Sequence, residues 1–145
     1  MNRMAKRTVW VALALSLAWA LPAIAQESTG PKEQAAIAAA EKFLALVDAG
    51  KYAESWAETS SLFKSQVSQQ EWVAKISGLR PFFGAVTQRA VKSSQYLTSP
   101  PGAPDGEYVL ILFQTTFVKK QHAIETVTPA LDQDGKWRVS GYFIK

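Results

Sequence analysis

Residues 105–117 read D-G-E-Y-V-L-I-L-F-Q-T-T-F, residues 121–132 read Q-H-A-I-E-T-V-T-P-A-L-D, and residues 134–145 read D-G-K-W-R-V-S-G-Y-F-I-K. Each is a run of β-branched, aromatic and aliphatic residues, and turn-forming residues separate them, which is the pattern of an antiparallel meander. The Asp134-Gly135 pair between the last two runs is a hairpin signal. Pro129 implies that the middle run is bulged or lies at an edge late in its course, because proline cannot donate to a strand ladder. In the last run Trp137, Val139, Gly141 and Phe143 alternate with Arg138, Ser140, Tyr142 and Ile144, and Gly141 marks a bulge or a close backbone approach.

The run from Glu107 to Val118 has two unequal faces. Val109, Ile111, Phe113, Thr115 and Phe117 fall on one, and Tyr108, Leu110, Leu112, Gln114 and Thr116 on the other. Both are apolar in the first half, so the sheet is expected either to curve on itself or to meet a partner on its far face. Upstream, Val86 to Tyr96 alternates as a further long strand. The segment Ser99-Pro-Pro-Gly-Ala-Pro-Asp-Gly106 then reads as a rigid loop joining it to the next.

Before the strands the period becomes helical. Ala36, Ile37, Ala40, Phe43, Leu44 and Val47 recur at three and four, following Pro31 at a first-turn position with Thr29 or Ser28 as nearby caps, and Gly50 stands where a left-handed cap would end the helix. Tyr52 and Trp56 share a face of a short second helix, which Ser60-Ser61 interrupts, and Leu62 and Phe63 lie in a less regular link. Ser68-Gln-Gln-Glu71 is a capping box flanked by Val67 and Trp72 as a hydrophobic staple. It opens a helix that turns Trp72, Val73, Ile76 and Leu79 inward and ends near Gly78 and Pro81, since a residue before proline avoids helical angles. Helices followed by four strands give an α+β domain, with the N-terminal helices packed on a curved four-stranded antiparallel sheet.

Residues 1–25 read as a signal peptide. Arg3, Lys6 and Arg7 precede an apolar run from Val9 to Leu21, and Ala23-Ile-Ala25 supplies the small-residue cleavage pattern. Residues 26–34 then form a flexible N-terminal segment and residues 35–145 a single domain, periplasmic or secreted. Three of the 16 basic residues but none of the 12 acidic ones lie in the signal, leaving a formal charge near +1. Without a clustered basic stripe, nucleic acid is not an expected partner. The chain has no cysteine, which excludes disulfides, thiolate metal sites and a lipoprotein anchor.

Taken together, Ser55-Trp56, Phe63-Lys64, Val67 to Trp72, Arg80 to Gly84, Pro104 to Tyr108, Glu125 to Thr128 and Asp134 to Tyr142 resemble the bacterial domain-of-unknown-function family numbered 4019. The resemblance implies a small exported protein with no established activity. More distantly, the layout is similar to cystatin-like and nuclear-transport-factor-2-like folds. These host isomerases, dehydratases, ligand carriers and interaction modules alike, so the fold decides little about function.

The residues that bear chemistry are few. His122 is the only histidine, and no set of ligands gathers around it, so neither a metal nor another cofactor is expected. Three positions along a strand, it faces away from Glu125. Glu125 shares a face with Ala123 and Val127 and is expected to be partly buried, with Arg89 and Arg80 as partners. It is either half of a structural ion pair or a polar group in a ligand cavity. Glu125, Arg89, Tyr108, Tyr142 and Trp56 are the candidate ligand-binding residues. The expected function is a non-catalytic module for an unknown small apolar ligand or an envelope protein, with a homodimer through the sheet as a further possibility. The alternative is a minimal acid–base enzyme using a carboxylate in an apolar pocket, beside a tyrosine such as Tyr96, Tyr108 or Tyr142. A raised carboxylate pKa beside a tyrosine would favour the enzyme, and a salt-bridged Glu125 the binding module.

Overall fold

The computed structural model describes residues 29–145, so the expected signal peptide over residues 1–25 and residues 26–28 lie outside the described residues. Four helices come first: α1 (Pro31–Asp48), α2 (Tyr52–Ala57), α3 (Ser61–Gln66) and α4 (Gln69–Leu79). A 3₁₀ turn over Arg80–Phe82 leads into β1 (Val86–Thr98), β2 (Glu107–Phe117), β3 (Lys120–Leu131) and β4 (Trp137–Ile144). The strands form one antiparallel sheet in the order β1-β2-β3-β4. The expected α+β class is therefore observed.

The periodicity of α1 translates directly into packing. Ala36, Ala40, Phe43, Leu44 and Val47 are buried against Val109, Ile111 and Phe113 of β2, Val127 of β3 and Val139 of β4. Trp72 and Ile76 of α4 close the same core. Phe43, Trp72 and Tyr142 meet as an aromatic triad with centroid separations of 5.7 to 6.2 Å, the range in which tilted and edge contacts add to area burial. A smaller cluster of Phe83, Phe117, Ala123 and Ile144 fills the far end of the sheet.

Helix ends are set by local chemistry. At the end of α1 the Gly50 N–H donates to Val47 O (3.1 Å) and Lys51 N–H to Leu46 O (2.9 Å), a Schellman closure that places Gly50 at φ 72°, where a side chain would be strained. Ser68 Oγ accepts from Glu71 N–H at 3.2 Å and Glu71 accepts from Ser68 N–H at 2.8 Å, completing the capping box.

Several expectations need correction. The first helix is capped by Gly30, not Thr29 or Ser28, with Glu33 accepting from the Gly30 N–H. Residues 31–34, expected within the N-terminal segment, lie in α1, where Glu33 also accepts from Tyr96 N–H on β1 (3.1 Å) and Lys32 pairs with Glu107. Leu62 and Phe63 lie in a true helix, α3, capped by Ser60 Oγ accepting from Phe63 N–H (3.1 Å); two adjacent serines that look like an interruption are a stop and a start. Arg80 keeps helical angles (φ −59°, ψ −35°) despite preceding proline, and Asp48 holds its guanidinium at 2.8 Å. Leu79 does not turn inward; it is 37% exposed.

The last strand also changes face part-way. The register between β3 and β4 shifts between Thr128 and Pro129, so Val139 pairs with Pro129 while Gly141 pairs with Thr128. Ser140 is the extra residue of a bulge. Beyond it Tyr142 and Ile144 turn inward and Phe143 outward, 60% exposed, the reverse of uninterrupted alternation from Trp137. Pro129 sits at this bulge on an interior strand, which removes the ladder bond it could not make. Thr59 and Ser60 cover the outer edge of β4 at this point, Ser60 N–H donating to Val139 O at 2.8 Å.

On the far side of the sheet the Ser99–Gly106 connection comes in, where Tyr108 OH donates to Pro104 O at 2.8 Å and that ring is buried. Leu110 and Leu112 on that face are half-buried.

Urea denaturation tests this division of burial. Phe43→Ala is expected to lose about 3–5 kcal/mol and Ser68→Ala about 1 kcal/mol, while Phe143→Ala stays within about 0.5 kcal/mol of the parent. A Phe143 variant as destabilised as the Phe43 one would overturn the reversed alternation of β4.

Candidate functional site

Glu125 is the one acidic side chain in the buried interior of the described residues, fully inaccessible to solvent. A carboxylate there is tolerable only with donors on both oxygens. They come from elements far apart in sequence. Oε1 accepts from Thr115 Oγ1 of β2 (2.6 Å) and from Arg89 Nε of β1 (2.8 Å). Oε2 accepts from Tyr142 OH of β4 (2.6 Å). Register brings them together: Arg89 stands opposite Thr115, and Phe113 opposite Glu125, so Thr115 and Glu125 project from the same face of neighbouring strands.

A second acid completes the cluster. Asp48, the last residue of α1, takes Arg89 Nη1 at 2.6 Å and Nη2 at 3.0 Å, and Arg80 Nη2 at 2.8 Å. Arg80 is buried, lies over the Phe117 ring at 4.8 Å and approaches Glu125 Oε2 to 3.7 Å through Nη1, which has no hydrogen-bond partner among the described residues. Two arginines thus neutralise two carboxylates. Burial opposes the Arg89 charge, but the hydrogen bonds it donates to Asp48 and the charge of Glu125 outweigh it and raise its pKa further above the ordinary arginine value. Burial, with the Glu125 charge beside it, likewise pushes the Tyr142 phenol well above the ordinary tyrosine range.

Of the candidate ligand-binding residues, the fold brings Glu125, Arg89 and Tyr142 together and leaves two apart. Tyr108 is committed to the Pro104 carbonyl on the far face of the sheet. Trp56 donates its indole N–H to Val67 O at 2.9 Å and packs on the main core. Tyr96 lies elsewhere, its hydroxyl donating to Glu107 at 2.5 Å. His122 is exposed and on the opposite face from Glu125. Arg80 joins Arg89 near Glu125, as their charges suggested. Asp48 and Thr115 were missed. An acid in the last turn of a helix is disfavoured by the helix dipole, so Asp48 did carry a faint signal that something cationic holds it. Thr115 carried none.

Beside this cluster, between α4 and the end of β4, lies a groove of about 370 Å³ lined by Trp72, Lys75, Ile76, Leu79, Tyr142, Phe143 and Ile144. Tyr142 belongs to both features: its hydroxyl serves the carboxylate and the residue forms part of the groove wall. The exposure of Leu79 and Phe143 in this groove was not legible in the sequence, because Leu79 was read as inward and the bulge in β4 was not resolvable to a residue.

Comparison with protein families matches residues 39–142 to the family described as Protein of unknown function (DUF4019). The chain belongs to this family. The matched DUF4019 segment takes in the last ten residues of α1, all the other elements up to Tyr142, and every member of the Glu125 cluster. Comparison with curated proteins and with solved structures finds no match.

Two measurements test the cluster. Glu125→Ala is expected to cost about 3–5 kcal/mol, since it leaves buried donors and arginine charge unpaired, and a loss under about 1 kcal/mol in denaturant titration would refute the network. The raised Tyr142 pKa sets the sign of the alkaline response. An unfolded tyrosine ionises near about pH 10; the folded state holds the proton beyond that point. The contribution of Tyr142 is therefore present below that pH and lost as pH rises above it. Tyr142→Phe is expected to lose less stability than the parent between about pH 9 and 11, and parallel curves would exclude this linkage.

Proposed function

We propose that the protein is an exported, non-catalytic binding module of the cell envelope, whose ligand or partner docks on the apolar groove between α4 and β4. The observation that carries this reading is the state of Glu125. Its two oxygens are engaged by Thr115, Arg89 and Tyr142, all set on neighbouring strands, and no surface of it reaches solvent. A general base needs to reach its substrate within hydrogen-bonding distance. Glu125 instead acts as a clamp, and the apolar surface next to it is open.

The acid–base enzyme is the second reading, favoured by the tyrosine that donates to a buried carboxylate. The paired arginines weigh against it, because they keep the carboxylate oxygens occupied. Export rests on residues 1–25: a basic start, an apolar run of 13 residues from Val9 to Leu21, and small residues before Gln26. The order of helices and then a four-stranded meander is also in keeping with cystatin-like and nuclear-transport-factor-2-like ligand carriers.

Native mass spectrometry of the protein recovered without refolding from the envelope of cells that make it tests the reading as a whole. The expected species begins at Gln26 and carries a retained small mass or a stoichiometric partner, lost on Leu79→Glu. A chain beginning at Met1 would refute export. A bare monomer that also captures nothing on crosslinking in the envelope would refute the binding module.

A further inference from the structure

We infer that the α4–β4 groove takes a free amphiphile with one anionic group, such as an alkyl or aryl carboxylate, its body on the apolar walls and its head at Lys75. The inference rests on the reading of the protein as a binding module and names the ligand class for that site. Trp72, Ile76 and Leu79 stand at i, i+4 and i+7, forming one stripe of α4, and Phe143 and Ile144 face it from β4. Leu79 and Phe143 are 37% and 60% exposed, two large apolar side chains at one depression. A volume of about 370 Å³ lies in the range of small-molecule sites, about 300–1,000 Å³.

The charge of the groove selects the sign of the head group. Lys75 is the only charged residue lining it, and it forms no ion pair among the described residues. Its nearest acidic candidate, Glu71 one turn earlier on α4, is turned back to the helix start, accepting from Ser68 N–H at 2.8 Å and from Ser68 Oγ at 2.9 Å. Glu71 is held below the usual carboxylate range first by the Ser68 hydrogen bonds and more weakly by the Lys75 charge, and it does not line the groove. An ammonium at the rim of an apolar depression attracts an anion and repels a cation. Tyr142 offers no second anchor, because its proton is already given to Glu125.

The test titrates the mature chain with decanoate, decanol and decyltrimethylammonium below their micelle concentrations. Calorimetry and tryptophan fluorescence report binding, the latter because Trp72 lines the groove. Decanoate is expected to bind saturably, one per chain, and roughly fivefold or more tightly than the cationic probe. Lys75→Glu is expected to remove or reverse that order. Lys92→Glu, on β1 and outside the groove, should leave it unchanged; both lysines are exposed, and circular dichroism verifies the fold. Equal binding of all three probes would overturn the anionic preference while leaving an apolar binding module in place. Binding to anionic vesicles without saturable binding of decanoate would overturn the free amphiphile in favour of a lipid surface. Failure of every probe, together with a bare chain in the mass spectrum, would remove both readings.

Discussion

The structure turns on the energetics of one carboxylate. An ionised glutamate taken out of water costs several kcal/mol unless donors replace its hydration, and Glu125 has none of its surface in solvent. Its pairing draws on β1 through Arg89, β2 through Thr115 and β4 through Tyr142, and Asp48 extends it to the end of α1 and the turn after α4. A one-residue slip of β3 would carry Glu125 to the opposite face and leave Arg89 and Tyr142 without their carboxylate. Pairing of this kind penalises a slipped register, whereas in net stability a well-packed apolar replacement can equal a buried ion pair.

The same cluster explains how α4 meets the sheet. Arg80 leaves the end of α4 and reaches Asp48, and the chain continues through a 3₁₀ turn into β1 with Phe83 returning to the smaller core. Trp72 holds the same helix from its other end, donating to Ser55 Oγ at 2.9 Å, and Leu79 remains exposed beside β4 in the groove. Tyr142 connects the groove to the ion-pair network, packing against Phe43 and Trp72 while its hydroxyl is committed inward.

Bulges decide which side chains line which surface. Irregularities between Val86 and Gln88, between Val91 and Ser93, and between Thr128 and Pro129 interrupt otherwise regular ladders, and each shifts the alternation of the residues beyond it. In β4 the effect is largest: Tyr142 and Ile144 face the helices only because Ser140 is unpaired. Proline and glycine at positions 129 and 141 advertised an irregularity, yet neither says which residue is skipped.

The sequence by itself determined most of the core and every element but α3. Period-3.6 spacing placed Ala36, Ala40, Phe43, Leu44 and Val47 inward, period-2 alternation sorted β2, and the Ser68–Glu71 box and Gly50 marked helix ends, because these signals are local and act within a turn or two of chain. It also made Glu125 conspicuous, since a lone acid on an apolar strand face demands a partner, and charge alone nominated the arginines. What only the tertiary structure decided was geometry between distant segments: that Asp48 and Thr115 complete the network, that Tyr108 and Trp56 stand outside it, that Leu79 stays in solvent, and that β4 reverses its faces. Those outcomes depend on strand register and helix placement, which arise from the sum of many weak contacts across the core, and no short stretch of sequence contains that sum.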